Sequence, residues 1–211
     1  MHQATSFRLL LKWIAAHTLA ISFTAAITFS MISVETFGKT IAFLILSGVI
    51  SGLCIGGVEA LLLRPWLTKA AGWWVVVMVI TVPLGMAGGG LLCFASLYFP
   101  GINEISEFML AGALGCGIGA LLGVAQWAFL RKVFRHTWIW MVAVTAGRTI
   151  GWSAGVEFAI KLDLWPNRAL SAGIGGAFGG TLYGIVTGLC LAWFVANCKR
   201  GDNLLEQKIG E

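Results

Sequence analysis

Four residues able to hold or move charge lie inside long apolar runs of this 211-residue chain: His17, Glu59, Arg148 and Glu157. A guanidinium about ten residues into an apolar helix cannot easily reach water and calls for a partner. Helix rise puts Glu59 about 8 Å from Arg148 in depth, so Glu59 is the expected partner. Glu157 is on the same run as Arg148 but too far along it to reach back. His17 lies at a depth close to that of Arg148. Two chemistries fit these types: an ion pair fixing helix register, or a proton or ion relay through His17, Glu59 and Arg148.

No signature of catalysis accompanies them. The chain has no paired-carboxylate site, GxSxG, HExxH or Walker loop. The glycine-rich piece at Gly173-Ile174-Gly175 lies in an apolar run, without the strand–turn–helix setting that a dinucleotide needs. His2 stands at the chain start and His136 in a basic turn. Cys54, Cys93, Cys116, Cys190 and Cys198 form no CxxC and show no metal-ligand spacing. The expectation is a protein that is not an enzyme and holds no metal.

The elements that must position these residues follow from composition. Hydrophobic residues make up 58% of the chain and charged residues 11%, against about a quarter charged in a soluble domain. Mean hydropathy is +0.89. Crossing a bilayer takes about 20 apolar residues, and six segments qualify, at 9–31, 40–63, 73–99, 108–130, 138–160 and 169–198. The first reads as a retained span, because no small-x-small cleavage site follows before Val34-Glu35. The fold class is therefore all-α: a polytopic membrane bundle of six transmembrane helices, a single integral membrane domain over 1–211 with a short tail at 199–211.

In that model Arg8, Lys12, Arg64, Lys69, Arg131, Lys132, Arg135, Lys199, Arg200 and Lys208 share one side, and Lys39, Lys161 and Arg168 the other. The positive-inside rule then places both termini in the cytoplasm. These basic loops are short topology signals, which excludes nucleic acid as a partner. They can attract anionic lipid headgroups.

The chain also repeats. Shifted by 67 residues, Gly115, Gly119, Gly123, Gln126 and Arg131 fall on Gly48, Gly52, Gly56, Glu59 and Arg64. Each copy is a glycine-laddered helix, a basic turn and a Trp-rich start to the next helix, giving parallel hairpins at about 40–99 and 108–160. A third, partial copy runs over about 169–200 through Gly180, Gly184 and Gly188. Span 1 would be its second arm, closing three hairpins around an axis along the membrane normal. Glycines four apart share a helix face and let two backbones approach. Gly147, Gly151 and Gly155 repeat the device in the fifth span, and Ala16, Ala20, Thr24 and Thr28 in the first. Pro83, followed by Gly88 to Gly90, is expected to kink or break the third. Gln126 and Glu59, with Arg131 and Arg64, read as clamps that close each hairpin. Trp66, Trp73, Trp74, Trp127, Trp138 and Trp140 gather at the same boundary as an aromatic belt.

Glycine ladders ending in Gln126, Trp127, Leu130 and Arg131 (GxxQWxxLR), with Trp138 and Trp140 following, resemble the repeats of multi-pass membrane proteins of bacteria, cyanobacteria in particular. The first copy departs, with Glu59-Ala60 in place of Gln-Trp. The resemblance implies fold and a bacterial inner or thylakoid-type membrane, and no activity. A fainter likeness is to the glycine-zipper subunits of mitochondrial protein translocases.

The leading functional expectation is a non-catalytic accessory or assembly subunit of a larger membrane complex, with membrane lipids and other membrane subunits as partners. A pigment or lipid variant belongs with it: His17, Glu59, Gln126 or Glu157 could ligate a chlorophyll magnesium. The alternative is a small-solute or ion transporter using the repeat interface around Arg148. A water-accessible cavity reaching Arg148 discriminates between the two.

Overall fold

The computed structural model describes the backbone of residues 2–31, 37–67, 70–98, 107–132, 134, 136–162 and 167–209. Side chains are described for 7–28, 30, 38–39, 41–67, 70–88, 91, 108–132, 134, 136–162 and 167–197. Cys93, Cys198, Lys69, Arg135, Lys199, Arg200 and Lys208 lie outside the described side chains. The described elements are all helical: α1 (His2–Met31), α2 (Phe37–Leu67), α3 (Ala71–Tyr98), α4 (Glu107–Leu130), α5 (Trp138–Leu162) and α6 (Arg168–Ile209). α6 continues as helix through most of the segment expected to be a tail.

Five of these helices are long and apolar enough to cross a membrane. α5, which carries Arg148, Glu157 and Lys161, is not among the five. Large apolar side chains such as Leu19, Leu61, Leu84 and Leu121 point outward. So much exposed hydrocarbon suits lipid as solvent, where a helix satisfies its own backbone groups and leaves none for the surroundings.

Each helix packs against its sequence neighbours, and α6 returns to pack against α1. The result is a closed ring of six helices around an axis. Three of the contacts, α2 with α3, α4 with α5, and α6 with α1, are the most extensive apart from that of α5 with α6. Glycines explain how close they are. A Cβ on Gly52 would meet the carbonyl oxygen of Met78 at 2.6 Å, one on Gly119 the Cα of Thr145 at 2.8 Å, and one on Gly180 the carbonyl oxygen of His17 at 2.7 Å. Gly48 and Gly56 likewise face α3, Gly115 and Gly123 face α5, and Gly184 and Gly188 face α1. Gly147, Gly151 and Gly155 turn the other way, toward α6. Without side chains in the way, backbones come into direct dispersion contact, which is what holds helices together where lipid is as apolar as leucine.

Two local expectations change. α3 runs through Pro83 as one helix, and Gly48 of α2 lies against Pro83, where a Cβ would meet its Cα at 2.5 Å. Pro83 is thus a packing surface and not a break. The face of α1 that meets α6 is Ile14, His17, Thr18, Ile21 and Ala25. Ala20, Thr24 and Thr28 instead turn into the ring, where they are buried.

Candidate functional site

Trp13 on α1, Trp74 on α3 and Trp140 on α5 are buried at one level of the ring. Each donates its indole N–H to a buried polar residue on the helix packed against it. Trp74 Nε1 donates to Glu59 Oε2 at 2.9 Å, Trp140 Nε1 to Gln126 Oε1 at 2.8 Å, and Trp13 Nε1 to Thr187 Oγ1 at 2.9 Å. The three acceptors each stand three residues after a glycine: Gly56, Gly123 and Gly184. That GxxE, GxxQ, GxxT spacing was legible, and it would have placed Thr187 in the set.

The belt of tryptophans is accordingly split. Trp73 is 64% exposed and Trp74 1%; Trp138 is 59% exposed and Trp140 0%. One helical position rotates a side chain by about 100° and two by about 200°, so neighbours in sequence face lipid and core.

Further contacts link these pairs inside the ring. His17 Nε2 lies 2.8 Å from Glu59 Oε1, and Gln126 Nε2 donates to Glu59 Oε2 at 3.0 Å and to the Met78 sulfur at 3.2 Å. Both oxygens of Glu59 are therefore taken. His17 Nδ1 lies 2.8 Å from the carbonyl oxygen of Trp13. A carbonyl only accepts, so Nδ1 carries a proton. The single remaining proton lies between Nε2 and Oε1, and the pair is neutral as a whole whichever atom holds it.

The expected Glu59–Arg148 pair is not formed. Glu59 is committed to His17, Trp74 and Gln126, and Arg148 turns elsewhere. Depth alone suggested the pair; rotation about each helix decided against it. Arg148 is 5% exposed, with its Cζ 4.5 Å from the centroid of the Tyr183 ring. The His17 ring also meets Tyr183, at 5.0 Å between centroids. Tyr183, like Trp13 and Thr187, was not among the expected residues; it immediately precedes Gly184, as the buried Ile55 and Leu122 precede Gly56 and Gly123.

Arg148 borders a cavity of about 490 Å³ on the side of the tryptophan level toward which α1, α3 and α5 run. Ile21, Ile55, Val82, Ile118 and Trp152 contribute apolar wall, and Gly151, Gly155, Gly175 and Gly179 bring α5 and α6 together along it. Among the described residues, the buried side-chain nitrogens and oxygens without a hydrogen-bond partner are Nε and Nη2 of Arg148 and the hydroxyl of Tyr183. All three belong to residues of this cavity.

The other expected residues lie apart. Arg131 is exposed, with its guanidinium 4.9 Å from the Trp127 ring, and Arg64 is exposed in the last turn of α2. Neither closes a hairpin clamp; the tryptophan bonds to Glu59 and Gln126 do that. Glu157 pairs with Lys161 on its own helix at 2.9 Å. The proposed chlorophyll ligands are thus all engaged, and His17, with a hydrogen bond at each ring nitrogen, offers a magnesium no free lone pair.

Comparison of the chain with models of protein families, with curated proteins and with solved structures returned no match.

Proposed function

We propose that this chain is an integral membrane protein that binds an anionic solute in its axial cavity and passes it across or into the membrane. The observation that carries this reading is Arg148: a buried guanidinium with two unpartnered nitrogens, beside an unpartnered Tyr183 hydroxyl, on the wall of a cavity. A charged side chain held in the membrane interior costs about 2.5–3.5 kcal/mol on insertion scales. Contact with an aromatic face returns only about 0.5–2 kcal/mol. An anion at the cavity end of Arg148 supplies the missing partner.

The rest of the reading is architectural. All six helices cross, α5 included, because α4 and α6 flank its polar residues. The three tryptophan–acceptor pairs support three parallel two-helix units, α2 with α3, α4 with α5, and α6 with α1, around an axis along the membrane normal. Both termini are cytoplasmic, on the side of the basic residues, so the cavity opens on the opposite face.

Thiol labelling tests the access on which this depends. In a variant lacking the native cysteines, Val156→Cys is placed in the cavity wall. A membrane-impermeant thiol reagent added from outside is expected to label it, and Arg148→Gln to change the rate. Absence of labelling from either side overturns the reading.

A second reading rests on a different surface. The outward side of α4 carries Ala113, Gly117 and Ala120, and a Cβ on Gly117 would meet nothing within 4 Å. Beside it lies a shallow groove of Ala120, Val124, Met141, Val142, Thr145 and Ala146. That surface suits a helix of another subunit and supports the accessory-subunit reading, which the mass of the native protein in mild detergent tests: a monomer defeats it.

A further inference from the structure

We infer that the solute is an amphiphilic monoanion: one acidic head held by Arg148 and Tyr183, and an apolar chain laid along the cavity wall. The inference rests on the anion-binding reading above and names its ligand class.

Charge sets the head. His17 and Glu59 sum to zero, and no carboxylate pairs with Arg148 among the described residues, so among these buried groups one positive charge is uncompensated. One negative charge balances it. Geometry sets the number of contacts, because Nε, Nη2 and the Tyr183 hydroxyl are three donors without partners. A carboxylate has two oxygens that accept several such bonds, and guanidinium binds it in a two-pronged fashion.

The remainder of the wall sets the chain. Met86, Trp152, Val156, Ala159 and Ile160 are apolar. Three of the lining hydroxyls are already used: Thr24 donates to the carbonyl of Ile21 at 3.2 Å, Thr28 to that of Thr24 at 2.7 Å, and Ser171 to that of Ala159 at 2.5 Å; Ser51 adds one more hydroxyl to the wall. A polar solute would find little to replace its hydration, whereas a hydrocarbon chain loses nothing there. The second cation of the lining, Arg168, is exposed at the start of α6 and so does not alter the charge of the buried end. At about 490 Å³ the space falls within the roughly 300–1,000 Å³ of small-molecule sites. A fatty carboxylate and a single-chain phosphate ester in its singly ionised form share the required chemistry.

Calorimetric titration of the full chain in nanodiscs of zwitterionic lipid separates the possibilities, using laurate, dodecyl phosphate, dodecanol and acetate. The expected result is saturable binding of laurate, of dodecyl phosphate or of both, with the tighter one identifying the head, and none of dodecanol or acetate. Arg148→Gln is expected to weaken that binding by about thirtyfold or more, as when one partner of a buried charge pair is lost. Val156→Trp, which fills the chain end and leaves Arg148 intact, is expected to weaken it as well, so the outcome does not hang on one variant. Acetate binding as well as laurate overturns the amphiphile and leaves the anion site standing. Dodecanol binding as tightly as laurate, or no binding by any of the four, overturns both.

Discussion

Glu59 and Arg148 are both buried on the inner side of one helix ring, and Tyr183 lies near both neighbourhoods through His17 on the one hand and the Arg148 guanidinium on the other. Glu59 is wholly buried, accepts hydrogen bonds from Trp74 and Gln126 at one oxygen and shares one with His17 at the other. Arg148 has an aromatic ring and two nitrogens with no partner. A buried charge whose hydrogen bonds are complete holds helices in register; one left incomplete beside a cavity is poised to bind. Burial alone does not separate the two cases, and a count of partners does.

Substitutions break the comparison or sharpen it. The largest effect is expected from Glu59→Leu, which fills the volume but strands the Trp74 and Gln126 donors and His17 together. Stability should fall by about 3–5 kcal/mol, as when one side of a buried charge-paired network is removed. Thermal unfolding in detergent measures it, and an unchanged midpoint would erase the distinction between the two regions. His17→Phe removes one of those three bonds and should lower stability by about 1–3 kcal/mol. If it matches Glu59→Leu, the tryptophan and glutamine bonds contribute little.

Arg148→Met should act in the opposite direction. With the unpaired guanidinium gone, the ligand-free protein is expected to gain about 1–2 kcal/mol and to lose anion binding. A loss of stability instead would mean that Arg148 belongs to the scaffold. Tyr183→Phe is the smallest change, because the hydroxyl has no protein partner to lose. Stability should stay within about 0.5 kcal/mol, while laurate affinity in the same titration falls a few-fold. No change in affinity would remove Tyr183 from the site.

Much of this was readable in advance because polar residues are rare in the chain. His17, Glu59, Gln126 and Arg148 stood out as the few that long apolar runs could not explain, and all four are buried. Their pairing was not readable. The connection from Glu59 to its tryptophan spans 15 residues and that from Gln126 spans 14. A fixed 67-residue shift therefore matched Trp140 to Trp73, the outward one, and missed Trp74. Depth along the chain suggested that Glu59 and Arg148 would meet, yet Glu59 takes His17, Trp74 and Gln126 instead.

The sequence by itself determined six helices, the boundaries of the middle four to within a few residues, and the glycine spacing that lets them pack; α1 begins seven residues before its expected start and α6 ends eleven after its expected end. Those depend on local composition and on the 3.6-residue period, which any short window contains. Only the tertiary structure decided that α6 closes on α1, that Trp13 joins Thr187 across 174 residues, and that Glu59 takes His17 and leaves Arg148 to the cavity. Those outcomes depend on how helices rotate against one another when every glycine face must find a backbone at once, and no single window of the chain carries that information.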